Sequence, residues 1–429
     1  MDVSKTTIIN VRHGRIPKQH LYTGSVRKNA CFFKCTKSAV CVLAFILAMA
    51  TAKDVHLDAV LKGNAEFTKT LYQALSKEKG NVFFSPISVH AVLSMVHQGA
   101  KGKTQQALTN VLKVPGPEES ADGYERVMKS LNSVKNVTLS IANKVFLKNK
   151  YVFKASYAAT IAKNFQSEVE SVDFEKKEEA AKIINTWVEN KTNNRIKDLV
   201  NADMFDELTR LVLVNAIYFK GKWSHPFPVA QTQTEKFYIN DDEIMDVQMM
   251  HLTKNLFYKE DETLDAKVLE LPYSNKELSM IIILPNKRNG IHELEKKLAT
   301  VDLSTITENM YKPEVKVSLP KFKIETDVMD LTQPLKDAGL EQIFTDEADF
   351  SGMLDNPERL AVSQVVQKAF IEVGEEGTEA AAASGVIFET YSLVLPHTFE
   401  ADHPFMIALV ATENDYENLL FLGRINRPT

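Results

Sequence analysis

The sequence predicts one α+β domain behind an N-terminal extension, and three observations lead to this fold class. Apolar residues recur at helical spacing in several segments, as Val60, Phe67 and Leu71 do. Runs of strand-forming apolar residues lie between those segments, the strongest at residues 211–219. No Pro/Gly/Ser-rich linker and no repeat of fixed period divides the chain of 429 residues. We therefore expect a single domain over residues 53–429.

The N-terminal extension, residues 1–52, has the pattern of a secretory signal peptide. Residues 1–37 carry eight Lys/Arg and one acid, Asp2, and residues 38–52 are almost wholly apolar. The A-x-A ending predicts cleavage near Ala50 or Ala52. This apolar run is too short to cross a bilayer, which takes about 20 residues. An N-terminal anchor helix is the alternative, but the pattern favours a secreted, extracellular protein.

Removal of this extension changes the composition of the chain. All three cysteines, Cys31, Cys35 and Cys41, lie within it, so the mature chain would have no disulfide, no cysteine nucleophile and no thiolate metal site. Subtracting eight basic and one acidic residue leaves 43 basic against 55 acidic residues, a net charge of about −12. This charge argues against a nucleic acid or an anionic membrane as partner. Sequons at Asn136 and Asn190 predict glycosylation.

The first specific element follows Gly80. Ser85 is placed as the N-cap of a helix with Pro86 in its first position, and the helix is expected to end near Gly99. The run Gly102-Lys103-Thr104 resembles the end of a phosphate-binding loop, but that loop needs a glycine where this chain has His97. We therefore interpret it as a turn between two helices.

The strand at residues 211–219 is apolar on both faces, which predicts a central position in a sheet covered on both sides. Its one polar residue, Asn215, must be hydrogen-bonded there. A helix is expected near residues 330–338, with Gly339 ending it. Further strands are predicted at residues 268–271, 278–284, 315–324, 407–411 and 419–425.

The stretch at residues 374–385 has an unusual composition, with four consecutive alanines bracketed by glycines. As a helix it would have no apolar stripe to bury. As a strand of period two it places Thr378, Ala380, Ala382 and Ser384 on one face. Side chains this small let a segment enter a sheet that is already built, where bulky ones would overpack it.

This stretch resembles the hinge of the reactive-centre loop of serpins, and the chain looks closest to insect haemolymph serpins of the antichymotrypsin and antitrypsin type. Similar motifs follow in order over roughly residues 55–429, including those at residues 81–88, 220–223, 319–322 and 421–424. The resemblance implies an α+β serpin fold with three β-sheets, about nine helices and an exposed reactive-centre loop at about residues 375–399. It also implies a protease inhibitor and not an enzyme.

By resemblance the loop is a bait for a serine protease. The family's spacing from Gly377 places the reactive bond between Tyr391 and Ser392, and Phe388 and Leu393 are alternative positions. The resemblance implies acylation at the bait residue, insertion of residues 378–388 as a new strand, and covalent trapping of the protease. The hinge residues carried over are Glu375, Gly377, Thr378, Glu379, Ala380, Ala381, Ala382 and Ala383.

The side chain of Tyr391 suits the apolar specificity pocket of a chymotrypsin-like protease. No Lys or Arg occurs from residue 377 to 404, which argues against trypsin-like targets. By resemblance, the opening of the sheet is controlled by Ser85, Ser88, Asn215 and Gln367, with Trp223 where the loop first enters. Gln367 departs from the histidine usual in the family, which puts a histidine-based pH response there in doubt.

Other functions find less support. The chain has no G-x-S-x-G, H-E-x-x-H or G-x-G-x-x-G motif, and its histidines lack metal-ligand spacing, so we expect no metal and no cofactor. A helix near residues 124–131 offers only Arg126 and Lys129 to a polyanion. We expect a monomer whose partner is a chymotrypsin-like serine protease in covalent complex. A non-inhibitory serpin acting as carrier, storage protein or chaperone is the alternative, and a secreted hydrolase is a third hypothesis.

Overall fold

The computed structural model describes residues 54–356, 359–377, 395–413 and 416–428. The predicted signal peptide, the hinge residues from Thr378 onwards and the bait positions from Phe388 to Leu393 lie outside these residues. The described residues belong to one compact unit, Asp54–Thr429.

Eight α-helices lie within the described residues, where about nine were expected for the whole chain. The predicted helix after Ser85 is confirmed, with Pro86 in its first position and Gly99 as its last residue. The helices are α1 Val55–Leu75, α2 Pro86–Gly99, α3 Gly102–Leu112, α4 Pro117–Ser133, α5 Ala155–Phe165, α6 Lys177–Lys191, α7 Ile291–Leu298 and α8 Thr332–Leu335.

Within the described residues, sixteen strands build the three predicted sheets. They are β1 Val82–Phe84, β2 Val137–Lys148, β3 Glu168–Val172, β4 Leu211–Gly221, β5 Gln233–Tyr238, β6 Ile244–Asn255, β7 Tyr258–Asp261, β8 Ala266–Pro272, β9 Leu278–Pro285, β10 Glu314–Pro320, β11 Phe322–Glu325, β12 Met329–Asp330, β13 Val362–Val373, β14 His397–Glu400, β15 Phe405–Glu413 and β16 Tyr416–Ile425.

The main sheet has the order β11-β13-β4-β2-β3, with β12 also paired to β13. The second sheet has the order β14-β10-β6-β5, and the third has the order β1-β16-β15-β9-β8-β7. In the main sheet β4 and β13 run parallel and hydrogen-bond to each other directly, from Leu211 beside Val362 to Tyr218 beside Phe370. The antiparallel strand β2 pairs along the other edge of β4.

Strand β4 is central and buried on both faces, as its sequence predicts. Leu213 and Ile217 pack into the larger hydrophobic core, which includes α1 and α2. Val214 and Tyr218, which point to the opposite face, pack into a smaller core that includes residues of α6. Because successive side chains of a strand point to opposite faces, β4 contributes to both hydrophobic cores.

The prediction of one strand over residues 315–324 is wrong. Strand β10 ends at Pro320 in the second sheet, and β11 begins at Phe322 in the main sheet, where it pairs with β13. Pro320 has no N–H group and so cannot donate to a further ladder bond. The apolar positions change from odd numbers (Val315, Val317 and Leu319) to even numbers (Phe322 and Ile324) across this break, so the periodicity itself marks an interruption of the strand.

Two other local predictions need correction. Gly102 is the first residue of α3, with a positive φ of 53°, so Lys103 and Thr104 lie in a helix and not in a turn. The helix expected near residues 330–338 is limited to α8, and a π-helical turn, Lys336–Leu340, follows it. Gly339 does end the regular helical backbone, with φ of 102°.

Neither a membrane-spanning helix nor a metal-binding cluster occurs among the described residues. None of the helices there has the length and apolar character that spanning a bilayer requires. Within the same residues, His, Cys, Asp and Glu side chains form no group of three or more that is suited to a metal ion.

Candidate functional site

A buried row of polar side chains crosses three strands of the main sheet. Asn143 of β2 is the register partner of Asn215 in β4, and Asn215 is the register partner of Gln367 in β13. The N-terminus of α2 supplies Ser85 and Ser88 to the same place. All five side chains are buried, with 7% exposure at most. Four of the five were predicted from the sequence, and the structure brings those four together.

The polar row is joined by hydrogen bonds throughout, and the prediction that Asn215 must be hydrogen-bonded is confirmed. The Nδ2 group of Asn215 donates to Ser88 Oγ and to Asn143 Oδ1. The hydroxyl of Ser88 donates to Asn143 Oδ1 at 2.9 Å. Because buried polar groups are costly when unpaired, the bond between Asn215 and Asn143 holds β4 to β2, and the bonds of Ser88 hold both strands to α2.

Gln367 ties β13 to both β4 and α2. Its Oε1 accepts from the backbone N–H of Ser85 at 3.0 Å, and its Nε2 donates to the backbone carbonyl of Ser85 at 3.1 Å and to Asn215 Oδ1. The hydroxyl of Ser85 donates to the carbonyl of Leu420 at 2.7 Å, so it does not cap α2 although it occupies the N-cap position. The amide of Gln367 makes these bonds without carrying a titratable proton.

A tight turn follows the end of β13. Gly374 N–H donates to Gly377 O at 2.8 Å, and Gly377 N–H donates to Gly374 O at 3.2 Å. Gly377 has φ of 131°, and a Cβ there would overlap the carbonyl oxygen of Gly221. Both facts favour glycine at position 377. The turn reverses the chain beside the end of β4, immediately before Thr378.

Trp223, predicted to lie where the loop first enters the sheet, fixes this turn. Its Nε1 donates to the carbonyl of Gly374 at 3.0 Å, and its backbone N–H donates to the carbonyl of Glu376 at 2.9 Å. The indole stacks on Tyr273 with ring centroids 4.4 Å apart. The start of the hinge is thus held by both the side chain and the backbone of one residue.

Glu375 is buried in the same turn and makes an ion pair. Its Oε2 lies 2.9 Å from Lys321 Nζ, and its Oε1 accepts from Thr232 Oγ1 at 2.9 Å. The Phe227 N–H donates to the Glu375 carbonyl at 2.8 Å. Burial alone would raise the pKa of Glu375, but the bonds from Lys321, its own backbone N–H and Thr232 hold that pKa below its ordinary value.

Sequence reasoning missed several residues of this site. In the sequence Asn143 stands beside Lys144, and nothing there distinguishes it from a solvent-facing polar residue, although the structure buries it. Lys321 lies in the recognised motif at residues 319–322, but its partner Glu375 is 54 positions away. Thr232 carries no signal that we can identify.

The two predicted glycosylation positions are also described. Asn136 is exposed, with φ of 61°, directly before β2. Asn190 is exposed near the end of α6, and the Thr192 of its sequon donates to Val188 O. Both asparagines can therefore carry a glycan without displacing the core.

The arrangement is suited to a change of strand order. A strand that enters between β4 and β13 would break the bond between Gln367 and Asn215 and the direct ladder between the two strands. It would replace that ladder with two new ones, satisfying more backbone groups than before. A strand that entered here would therefore gain more backbone hydrogen bonds than the sheet loses.

Comparison with known proteins identifies the family. A family model described as Serpin (serine protease inhibitor) matches residues 62–428. Antichymotrypsin-2 of Bombyx mori is 38% identical over 360 residues, which cover 82% of this chain and 96% of that protein. Leukocyte elastase inhibitor of Bos taurus is 38% identical over 382 residues, covering 87% of this chain and 100% of that protein.

A solved structure agrees with these sequence matches. The crystal structure of Serpin48, described as a highly specific serpin in the insect Tenebrio molitor, has a TM-score of 0.78 with this chain at 36% identity. The match covers 88% of this chain and 100% of that one. The predicted fold and the predicted class, an inhibitor and not an enzyme, are confirmed. The chain therefore belongs to the serpin family of serine protease inhibitors.

Proposed function

We propose that this serpin is a secreted inhibitor of a chymotrypsin-like serine protease, and that the protease attacks the bond between Tyr391 and Ser392. The phenol ring of Tyr391 suits an apolar specificity pocket, and the absence of Lys and Arg from residue 377 to 404 disfavours trypsin-like enzymes. The similarity to antichymotrypsin-2 of Bombyx mori points in the same direction.

The first step is ordinary acylation. The serine Oγ of the protease attacks the Tyr391 carbonyl carbon, and the serine proton passes to the protease's histidine. The C–N bond to Ser392 then breaks, and the nitrogen of Ser392 leaves as an amine with that proton. Tyr391 remains joined to the protease as an ester, and water would normally hydrolyse it.

Insertion of the loop prevents that hydrolysis. Cleavage separates residues 378–391 from the rest of the loop while the turn at Gly374 and Gly377 still joins them to β13. The small residues from Ala380 to Ala383 can pass between β4 and β13 with little overpacking. The attached protease is carried along the sheet, and its active site is distorted before deacylation.

One observation carries this proposal: β4 and β13 are parallel neighbours, and β13 ends in a tight turn beside β4. A segment that continues from this turn must run back antiparallel to β13. It would therefore be antiparallel to β4 as well, so it can form regular ladders with both strands at once. Thr378 and the alanines directly follow the turn.

Secretion is part of the proposal. It is supported by the signal-like residues 1–52 and by the exposed sequons at Asn136 and Asn190. The control of sheet opening is assigned to the polar row of Ser85, Ser88, Asn143, Asn215 and Gln367, and the control of the first loop entry to Trp223.

The test is a denaturing gel of the purified mature chain after reaction with chymotrypsin, trypsin and elastase. We expect a boiling-resistant complex with chymotrypsin and a small fragment that starts at Ser392. A Thr378→Arg variant should be cleaved at the same bond without forming the complex, because an inserted arginine would be buried without a partner. A Tyr391→Arg variant should instead trap trypsin.

Other results would change the proposal. A fragment that starts at Glu389 or Val394 would move the reactive bond to Phe388 or Leu393. Cleavage of the loop by all three proteases, with no complex and no gain in thermal stability, would overturn inhibition. It would favour a non-inhibitory serpin acting as a carrier, storage protein or chaperone.

A further inference from the structure

A surface groove lies beside β14, the strand through which the reactive loop rejoins the domain. Residues 259–262, Asn309, Tyr311 and His397 line this groove, which has a volume of about 460 Å³, and we call it the stem groove. His397 is the first residue of β14, and Tyr311 lies shortly before β10, the strand that pairs with β14. The groove plays no part in the mechanism described above.

Tyr311 gives the stem groove an exposed aromatic wall that is held in place. Tyr311 is 48% exposed. Its backbone makes two hydrogen bonds with Tyr258, at 2.9 and 3.1 Å, and its ring meets those of Tyr258 and His397 edge-on, at 6.2 and 5.8 Å. A fixed aromatic ring loses little entropy when a partner binds, which is why tyrosine is common at the centres of interfaces.

The charges around this ring favour a cationic partner. The ammonium group of Lys259 lies 3.1 Å from Asp261, and both side chains are largely buried, at 15% and 18% exposure. This pair cancels, and the exposed Glu260 and Glu262 give the lining residues a net negative charge. Outside the lining, Lys267 is the register partner of Glu260, and its ammonium group donates to the carbonyl of Thr398 at 3.0 Å. Arginine or lysine can pack on the face of Tyr311 while it pairs with a carboxylate.

The position of the groove relative to the reactive bond indicates which partner reaches it. His397 comes six residues after Tyr391, and six extended residues span at most about 20 Å. A standard interface covers about 800 Å² on each partner, which corresponds to a patch with a radius of about 16 Å. If these six residues were fully extended, a patch centred on Tyr391 would stop roughly 4 Å short of His397, and a bent path brings the stem groove within the patch.

Resting on the proposed function, we propose that the stem groove is a second contact site for the attacked protease. It takes an Arg or Lys side chain from the protease surface on the side of the leaving group. Tyr311 supplies the aromatic face, and Glu260 and Glu262 supply the charge. Such a contact increases the rate of encounter and selects among proteases that accept tyrosine, and it leaves acylation and insertion unchanged.

The test measures binding apart from trapping. The probe is chymotrypsin whose catalytic serine is replaced by alanine, and the dissociation constant is measured for wild type, Tyr311→Ala and the double variant Glu260→Gln/Glu262→Gln at low and high salt. Phe257→Ala is the matched control, because Phe257 is 42% exposed, lies close to Tyr258 in sequence and does not line the groove. Glutamine at position 260 keeps an acceptor for the Tyr258 hydroxyl, which now donates to Glu260 at 2.9 Å.

We expect Tyr311→Ala and the double variant each to weaken binding about fivefold at low salt. High salt should abolish the effect of the double variant, because screening removes the contribution of exposed charges. Phe257→Ala should bind as wild type does, and the stoichiometry of inhibition of active chymotrypsin should be the same for all variants.

Equal dissociation constants for Tyr311→Ala and Phe257→Ala would overturn the proposal. So would a wild-type dimer that Tyr311→Ala dissociates, since the groove would then bind a second copy of the chain. If active chymotrypsin cleaves the wild type without being trapped, the proposed inhibition fails. The dissociation constants for inactive chymotrypsin still decide the role of the groove in that case.

Discussion

Gln367 of β13 and Asn215 of β4 are joined side chain to side chain across the strand pair that must separate if a new strand enters. The same amide of Gln367 also holds both the N–H and the C=O of Ser85. One side chain therefore links two strands and a helix. None of the five residues in the polar row carries a group that titrates between pH 4 and pH 9, so the cost of opening at this point is independent of protonation there.

A Gln367→His variant should make the native state sensitive to acid. A neutral imidazole can replace part of the amide network, but a protonated one would be buried beside the N–H of Ser85. Its pKa in the folded state would fall below the ordinary value of about 6.5, so the unfolded chain would bind the proton more strongly. We expect a loss of about 2 kcal/mol between pH 7.5 and pH 5, seen as faster unfolding in urea.

The control for this variant is wild type measured over the same pH range. For each protein, stability is plotted against pH, and the loss caused by the new histidine is the difference between the two slopes, because the other histidines are common to both proteins. Equal slopes for wild type and Gln367→His would contradict the assignment of Gln367 to a buried, tightly coupled position.

Asn143→Ala should destabilise the native state although sequence reasoning gives this residue no role. The substitution removes the acceptor of the Ser88 hydroxyl and one of the two acceptors of Asn215 Nδ2. Leaving such buried donors unpaired costs about 1–3 kcal/mol. We expect a lower temperature of native unfolding and faster loss of inhibitory activity on heating.

Asn132→Ala is the comparison for Asn143→Ala. Asn132 is exposed, and its side chain donates to Gln166 at 2.5 Å. Its loss should change the unfolding temperature little, since water can replace an exposed partner. Similar effects of the two substitutions would mean that the polar row does not hold the strands together.

The sequence predicts those parts of the fold whose cause is local. Ser85-Pro86 places the start of α2, and the doubly apolar run of β4 predicts its central position. The apolar positions shift by one residue at Pro320 and Lys321, but this shift does not show that β11 joins another sheet, because that depends on its pairing with the distant β13. Asn143 could not be assigned, since its burial depends on its register with Asn215 in a distant strand.

In the candidate site, too, features with a local sequence signal were predicted and those that depend on distant residues were not. The glycines and Trp223 of the turn were predicted through family motifs, whereas the pairing of Lys321 with Glu375 appears only when the chain is folded. The reactive bond and the alanine run lie outside the described residues, so their assignment stays a prediction from the spacing after Gly377.

Glu375→Gln should weaken the turn that begins the hinge. The lowered pKa of Glu375 means that its carboxylate stabilises the native state above the ordinary glutamate pKa of about 4.3. That contribution is lost as the pH falls through the lower folded-state pKa. We expect the substitution to lower the free energy of unfolding by about 1 kcal/mol at pH 7. This effect is modest because Lys321 is 42% exposed.

A double-mutant cycle with Lys321→Gln separates the ion pair from other effects of the two substitutions. The effects should be less than additive at pH 7, with a coupling that disappears when the carboxylate is protonated. Additive effects at pH 7 would show that the contact between Lys321 and Glu375 contributes nothing to the stability of the turn.

His90 should make the native fold labile in mild acid. Burial lowers the pKa of His90 to about 4, although its bond to the carbonyl of Leu112, at 2.9 Å, acts in the opposite direction. Since the ring donates to Leu112 through Nε2, its Nδ1 accepts from the hydroxyl of Tyr124 at 2.5 Å. The neutral imidazole is thus the form that fits α2.

The sign of the pH effect follows from this lowered pKa. Between about pH 6.5 and pH 4 the unfolded chain binds a proton at His90 that the native state does not, so stability falls as the pH falls. The full loss of stability from this one group is on the order of 3 kcal/mol.

In His90→Gln, native unfolding should become less dependent on pH over this range. His56→Gln, a change of a side chain that is 40% exposed, is the control. If His90→Gln keeps the full acid dependence of wild type, another group causes it, and His97, whose pKa burial also lowers to about 4, is the next to substitute.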